Sequence, residues 1–201
     1  MTYICGELQD YTYNCAFPEA GGADEELLLI QHNDIDRTAG QNGFTFNTTN
    51  PTIIEAIGIK VGKQAFAFKG KRNPNAVMSE PVEQDFSSGF QHGLMFNLYE
   101  VSPATVEILK SLQQNKVMGI LKTNQRNSTG NNIFKVVGRA VGLYLVEGTY
   151  NSAENQGVVQ VTLQPQGDLL EPNFMEFLFD TDIPTTVALY ESLKEEVPPA
   201  E

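Results

Sequence analysis

The sequence has 201 residues, of which 41% are hydrophobic, 9% aromatic and 19% charged. This length suits one domain or one domain with an extension, and the composition excludes a disordered protein and a long coiled coil. Thirteen basic residues against 25 acidic residues give a net charge of −12, which argues against a dedicated nucleic-acid-binding protein.

The charge is distributed unevenly along the chain. Residues 1–50 carry a net charge of −7, residues 51–150 carry +4, and residues 151–201 carry −9. Two interpretations stay open: the acidic ends are solvated surface, or the three segments face different partners.

The N-terminal region contains both cysteines, Cys5 and Cys15. It lacks the basic and continuous apolar regions of a secretory signal, so we expect synthesis in the cytosol and free thiols, with a disulfide in an oxidising environment as the alternative. The two histidines, His32 and His92, have no Cys or His at metal-ligand spacing, so no metal site or cofactor is expected. No apolar run reaches 18 residues, and no membrane-spanning helix is expected.

Most of the chain shows the two-residue period of β-strands. In residues 159–164, Val159, Val161 and Leu163 alternate with polar residues and so share one face of a strand. The other strand candidates are residues 43–47, 52–61, 64–69, 94–101, 116–122, 133–139 and 142–147. Separated by Gly, Asn, Pro and Ser clusters, they predict a mainly β protein, an antiparallel β-sandwich or barrel.

One segment, residues 102–114, has helical character instead. Ser102 suits the N-cap, Pro103 the first helical position, and Asn115 a left-handed position after the helix. Four apolar residues form a stripe at helical spacing: Val106, Ile108, Leu109 and Leu112. We therefore expect one α-helix that flanks the sheet and buries this stripe.

The domain organisation follows from changes in composition. Residues 1–167 form the predicted β domain, with a long arm or loop around residues 70–90, and residues 168–201 form an acidic C-terminal extension. Within that extension, the apolar segment 174–179 needs a covering surface, either on its own domain as an extra strand or on a neighbouring copy. Residues 186–196 are a candidate for a short terminal helix.

Catalytic motifs are not found, so we expect a protein that is not an enzyme and assign no catalytic residue. His32 and His92 lie at the ends of apolar runs, where hydrogen bonds to the backbone are a commoner role than general-base catalysis. Five basic residues within residues 60–72 are interleaved with Phe66 and Phe68. These aromatics alternate as core residues do, so a nucleic-acid strip is the weaker interpretation.

The order of elements in residues 90–163 is distinctive. A strand at 93–98 leads into the helix, and strands at 116–122, 132–138, 142–145 and 157–163 follow. This order, with its Gly-Leu and aromatic-Gly spacings, resembles the tail-tube-like structural proteins of tailed bacteriophages, especially those of Bacteroidetes phages. The two cysteines before a Gly-rich turn and the apolar strand at 27–32 are similar to that group as well.

The resemblance implies a β domain that assembles into homo-oligomeric rings, which stack into a conduit for the genome. The implied partners are copies of the chain, other tail or neck proteins of the virion, and DNA that passes without specific binding. The implied location is the tail or neck of the virion, after synthesis in the bacterial cytoplasm. A neck, connector or tail ring protein is one alternative, and a surface or carbohydrate-binding β-sandwich is another.

Two groups of residues are predicted as contacts between subunits. The basic group would lie on one rim of a ring and attract an acidic end of the next copy: Lys60, Lys63, Lys69, Lys71 and Arg72. The aromatic group belongs to the C-terminal extension: Phe174, Phe177 and Phe179. An electrostatic contact would weaken with salt, whereas an apolar one would not.

Overall fold

A computed structural model describes residues 22–70, 75–85, 87–125, 127–151 and 157–199, so Cys5 and Cys15 lie outside it. The strands of this part are β1 (Ala23–Gln31), β2 (Phe44–Phe46), β3 (Ile53–Ile57), β4 (Phe66–Lys69), β5 (Ala76–Glu83), β6 (Ser88–Leu98), β7 (Val117–Thr123), β8 (Phe134–Val137), β9 (Tyr144–Tyr150), β10 (Val159–Gln164) and β11 (Glu176–Leu178). The helices are α1 (Pro103–Gln114) and α2 (Ile183–Ser192). The prediction of a mainly β protein is confirmed.

The strands form two sheets. A seven-stranded sheet has the order β2-β3-β11-β8-β7-β1-β4, and a four-stranded sheet has the order β5-β6-β10-β9. Together with α1 they give the predicted sandwich with a flanking helix. The pairing is antiparallel except between β11 and β3, which run parallel.

The seven-stranded sheet is covered on both faces, and its central strands show this in sequence. In β1, Leu27 and Leu29 belong to one apolar core, while Leu28 and Ile30 belong to the core on the opposite face. Since successive side chains of a strand point to opposite faces, a strand buried on both sides is a continuous apolar run.

Different parts of the chain cover the two faces of the seven-stranded sheet. One face of the sheet is covered by α2 and by loops of the first third of the chain. The core on this face includes Ile35, Phe44, Ile54, Phe134, Leu178 and Tyr190. The other face is covered by the four-stranded sheet and α1, and includes Leu94, Phe96, Leu112, Val159, Val161 and Leu163. The molecule therefore has three layers.

Helix α1 begins as predicted but buries a different stripe. The Ser102 hydroxyl accepts a hydrogen bond from the Thr105 amide at 3.3 Å. The inward-facing residues are Thr105, Leu109 and Leu112, whereas Val106 and Ile108 of the predicted stripe are 52% and 38% exposed. Spacings of four and three place these three residues on one narrow face.

The helix also ends differently from the prediction. Asn115 has φ −119° and ψ 140°, an extended conformation and not the left-handed one. Its backbone N–H and its side-chain amide both donate to the Ser111 carbonyl, each at 3.0 Å. These bonds satisfy a terminal carbonyl of the helix without a left-handed residue.

The segment predicted as an arm or loop, residues 70–90, is largely strand in its described part. It contains β5 and the start of β6, which form a hairpin from Ala76 opposite Met95 to Glu83 opposite Ser88.

The predicted extension, residues 168–201, is integral to the fold. Strand β11 lies inside the seven-stranded sheet, between β3 and β8. Helix α2 begins at Ile183, three residues before the predicted start, with the Asp182 carboxylate accepting from the Thr185 amide at 2.8 Å. The boundary after residue 167 is therefore not a domain boundary.

Neither α1 nor α2, the helices of the described residues, is long and apolar enough to cross a membrane.

Candidate functional site

The predicted basic contact residues lie beside one edge of the seven-stranded sheet. The Lys60 ammonium donates to the Asn33 carbonyl at 2.7 Å, and the Lys63 ammonium lies 3.4 Å from the Asp34 carboxylate. Both partners belong to the turn that follows β1. These two lysines therefore make contacts within their own chain.

Lys69, on β4, is also paired within the chain. Its ammonium lies 2.8 Å from the Glu26 carboxylate, which Lys194 contacts from the other side, and Glu26 and Lys69 are cross-strand neighbours. The remaining two predicted residues, Lys71 and Arg72, lie outside the described residues. The described part of the basic group thus has its charge opposed by acids or carbonyls of the same molecule.

The three predicted aromatic residues differ in how far they are buried. Phe174 is 53% exposed and packs edge-on against Phe90, with 5.6 Å between ring centroids. Phe177 and Phe179 are half-buried, and Phe177 is aligned with Ile53 of β3. Because β8, β7 and β1 separate β11 from β4, the basic and aromatic groups do not form one surface.

The β5–β6 hairpin extends beyond the sheet that carries it. Strand β10 pairs with β6 only from Leu94 to Leu98, whereas β5 continues along β6 to Ser88. Next to this outer part, Phe90 exchanges two backbone hydrogen bonds with Glu171, at 2.9 and 2.8 Å. The hairpin is therefore a projection held from one side by the chain segment before β11.

A groove runs along this projection, lined by Pro81, Val82, Phe90 and Pro172 together with Glu83, Ser88 and Gly89. It has a volume of about 500 Å³, and Phe174, which does not line it, packs against Phe90. We call the following residues the hairpin patch: Pro81, Val82, Phe90, Pro172 and Phe174. Exposed apolar surface of this kind commonly marks a contact with another protein.

A buried polar cluster anchors the base of the hairpin, and both histidines belong to it. The His32 Nε2–H donates to the Gly138 carbonyl at 2.9 Å, and the Gly138 amide donates to His92 Nδ1 at 3.3 Å. His92 Nε2–H in turn donates to the carbonyls of Asn173 and Phe174, at 3.0 and 3.1 Å. The prediction that the histidines bind backbone is confirmed.

Two buried glutamates complete this cluster. Glu171 is 1% exposed and accepts from the amides of Ala140 and Val141, each at 3.0 Å. Glu176, also 1% exposed, accepts from Arg139 Nη2 at 2.7 Å. The loop after β8 and the segment 171–176 are thereby joined by two buried carboxylates.

Arg139 is held by more than its ion pair. Its guanidinium lies 5.7 Å from the centroid of the Phe44 ring and 5.1 Å from that of Phe46. Burial acts to lower the pKa of Arg139, but the hydrogen bonds and charge of Glu176, with that of Glu171, outweigh it and raise the pKa. The arginine stays charged in this site.

The other contacts of His32 oppose its protonation. Burial lowers the pKa of His32, and the positive charges of Arg37 and Lys116 lower it further, against the Gly138 hydrogen bond. Arg37 Nη2 donates to His32 Nδ1 at 3.1 Å, so that nitrogen has no room for a proton of its own. The neutral imidazole is the form that fits.

We expect stability to fall as the pH drops below about 6.5, the ordinary value of an unfolded histidine. Because the folded pKa of His32 is lower, the unfolded chain binds the proton first, and protonation therefore favours unfolding between that value and the folded pKa. Urea unfolding at about pH 7.5 and about pH 5.5 measures this loss. His32→Gln should reduce the loss; an unchanged pH dependence in that variant would contradict the role of His32.

The sequence places Glu171 and Glu176 in the acidic C-terminal extension, and neither residue was predicted as part of a site. One signal was present: Glu176 is flanked by Met175 and Phe177, so an acid interrupts an apolar segment. The partner, Arg139, is 37 residues away in sequence, and local patterns do not show which distant charges meet.

The chain has no match among protein-family models, curated proteins or solved structures. Among the residues that the structure describes, no group of three or more His, Cys, Asp or Glu side chains is placed to hold a metal ion.

Proposed function

We propose that the protein is a structural subunit of a tailed-phage particle, and that copies of it assemble into the rings of a tail tube. The order of elements in residues 90–163 supports this through its resemblance to tail-tube-like proteins. The observation that carries the proposal is the hairpin patch, an apolar surface on a projection that the chain's own sheet leaves uncovered.

A ring requires two different surfaces on each subunit, so that each copy contacts the next head to tail. The projecting hairpin provides one surface that differs from the rest of the molecule. It is also stiffened at its base, because Phe90 and His92 are tied to the segment 171–174. A projection that keeps its shape loses little conformational entropy when a neighbouring copy binds it.

The charge of the chain agrees with passage of DNA without binding. A net charge of −12 opposes phosphate contacts, which underlie non-specific DNA affinity. Lys63 and Lys69 are already paired with Asp34 and Glu26. Phosphate groups would therefore have to compete with carboxylates of the same chain for these two lysines.

We expect Phe174→Asp to abolish ring assembly while leaving the melting temperature of the subunit within a few degrees. The side chain is 53% exposed, so the new carboxylate stays solvated in the free subunit and becomes costly only in a contact. Negative-stain imaging and mass measurement in solution detect the rings. Tyr150→Asp is the matched control, because Tyr150 is an aromatic side chain that is likewise 53% exposed and lies outside both the hairpin patch and the basic group.

Salt distinguishes the two predicted contact groups. Rings that persist at about 1 M salt, where the screening length is about 3 Å, favour the apolar hairpin patch over the basic group. A strict monomer at high concentration would contradict the proposal. Closed rings that never stack would instead favour a neck or connector ring.

A further inference from the structure

A second apolar groove lies between α1 and β4, and we call it the α1–β4 groove. It has a volume of about 520 Å³, and the apolar residues that line it include Leu29, Phe66, Phe68, Leu98, Ile108 and Leu112. Two of these side chains reach the surface, since Phe66 is 46% exposed and Ile108 is 38% exposed. The groove therefore presents apolar side chains where another protein can contact them.

The charged residues of the α1–β4 groove are basic. Lys69 and Lys194 line it, and no acidic residue is among the described residues that do so. The Lys69 side chain is 73% exposed, and both lysines contact the same carboxylate, that of Glu26. If Lys69 turns towards a partner, Glu26 keeps Lys194. The groove can therefore offer a positive charge without leaving a carboxylate unpaired.

The β5–β6 hairpin carries the opposite charge. Residues 76–98 contain three acids, Glu80, Glu83 and Asp85, and neither Lys nor Arg. All three acids are exposed, and Glu83 lines the groove that runs along the hairpin patch. The hairpin patch is thus an apolar surface beside acids, whereas the α1–β4 groove is an apolar surface beside lysines. Such complementary charges align two surfaces and exclude wrong pairings.

The two surfaces lie at opposite ends of β6. Phe90, in the hairpin patch, is near the start of this strand, and Leu98, in the α1–β4 groove, is its last residue. Eight steps along an antiparallel strand span about 27 Å. A subunit with complementary surfaces at its two ends binds the next subunit head to tail, and such contacts close into rings.

We propose that the hairpin patch of one copy docks in the α1–β4 groove of the next copy, with Glu83 facing Lys69. This inference rests on the proposed function and names the partner surface of the hairpin patch. Apolar side chains form the centre of the contact, with Phe174 of one copy against Ile108 of the next. The charges lie at the rim, where they speed association and set the pairing more than they add affinity.

Two variants that each lack one surface test the proposal. Phe174→Asp damages the hairpin patch and Ile108→Asp damages the α1–β4 groove, so each variant alone should remain a monomer. In an equal mixture, the intact patch of Ile108→Asp should bind the intact groove of Phe174→Asp. The mass in solution should then double and rise no further, because the other two surfaces are damaged. A contact between two hairpin patches would give no dimer in this mixture.

Two further variants serve as the control and the replicate. Val106→Asp should assemble like the unaltered chain, because Val106 is 52% exposed on the same helix but does not line the groove. Phe66→Asp changes the groove from β4 instead of α1, and it should behave like Ile108→Asp alone and in the mixture. Thermal unfolding followed by circular dichroism identifies the variants that are folded, and either groove variant can carry the test.

The outcomes separate this inference from the proposed function. If the unaltered chain forms rings and folded Ile108→Asp and Phe66→Asp form them as well, the groove is not the contact and the inference is wrong. Monomers alone in the equal mixture, at high protein concentration, would show that the groove is not the partner of the hairpin patch. A strict monomer of the unaltered chain would contradict the proposed function and the inference together.

Discussion

Removal of residues 168–201 should abolish cooperative folding. Strand β11 fills the position between β3 and β8, with Leu178 next to Ile54 on one side and Phe134 on the other. Without it, both neighbours lose their backbone partners inside a sheet that is covered on both faces. Unpaired backbone groups in such a place are costly.

The apolar side chains of residues 168–201 also contribute to the stability of the fold. Leu178, Tyr190 and Leu193 are 0%, 3% and 5% exposed, and all three belong to the core on the α2 side. Burial of each large side chain contributes about 1.5–3 kcal/mol, and a whole domain has a net stability of only about 5–15 kcal/mol. Urea unfolding followed by circular dichroism should show no cooperative transition in the truncated chain.

The control is a shorter truncation. Deletion of residues 198–201 removes the exposed Pro198 and Pro199 but keeps Val197, whose backbone exchanges hydrogen bonds with Lys63 and Gly62. This variant should unfold with nearly the midpoint of the full chain. A cooperative transition of normal midpoint after deletion of 168–201 would instead indicate an independent extension, as the sequence suggested.

The strands predicted correctly are those whose burial leaves a periodic pattern. In β10, Val159, Val161 and Leu163 face the core on one side only, so the two-residue period is visible without knowledge of the partners. Helix α1 was predictable for a different reason: Ser102 and Pro103 mark its start by local chemistry. Both signals are contained within a few consecutive residues.

Strand β5 was missed, and β11 was predicted only as one of two alternatives, because both lack such local signals. Strand β5 is an edge strand with Pro81 within it and mostly exposed residues, so its burial imposes no apolar period. Strand β11 is three residues long, and its place between β3 and β8 is set by partners more than 35 residues away. A segment this short shows no period of its own.

Of the residues in the hairpin patch, the sequence pointed only to Phe174, and its role as a contact between subunits stays a prediction. The sequence predicts that Phe174 needs a covering surface, and the structure shows that its side chain is 53% exposed. The pairing of Lys69 with Glu26 was not predictable, because it depends on β4 lying next to β1. The same holds for the buried cluster, in which Gly138 brings together two histidines that are 60 residues apart in sequence.

The ion pair of Arg139 and Glu176 belongs to this buried cluster, and breaking it should cause the second large loss of stability. Arg139→Met should lower the free energy of unfolding by about 3–5 kcal/mol, since it leaves a buried carboxylate without its partner. Methionine retains an unbranched apolar stem against Phe44 and Phe46, so the loss reports mainly on the charge. Among the described residues, the other side chain that donates to Glu176 is the neutral Asn173 amide, at 2.7 Å.

A double-mutant cycle separates the ion pair from the surroundings. Glu176→Gln removes the buried charge while keeping the shape of the side chain, so the double variant should be more stable than Arg139→Met alone. If Arg139→Met and the double variant lose the same free energy of unfolding, the Glu176 carboxylate is not destabilised by the loss of the arginine charge. Urea unfolding of the four proteins at one pH measures the coupling.

The Arg139→Met variant also tests whether the buried ion pair keeps the hairpin in its fixed shape. Glu176 and Glu171 fix the segment that holds Phe90, His92 and the backbone of Phe174 in place. If this segment loosens in Arg139→Met, the hairpin patch loses its fixed shape, and ring assembly should weaken even under conditions where the subunit stays folded. Rings that form normally from folded Arg139→Met would show that the patch does not depend on its buried anchor.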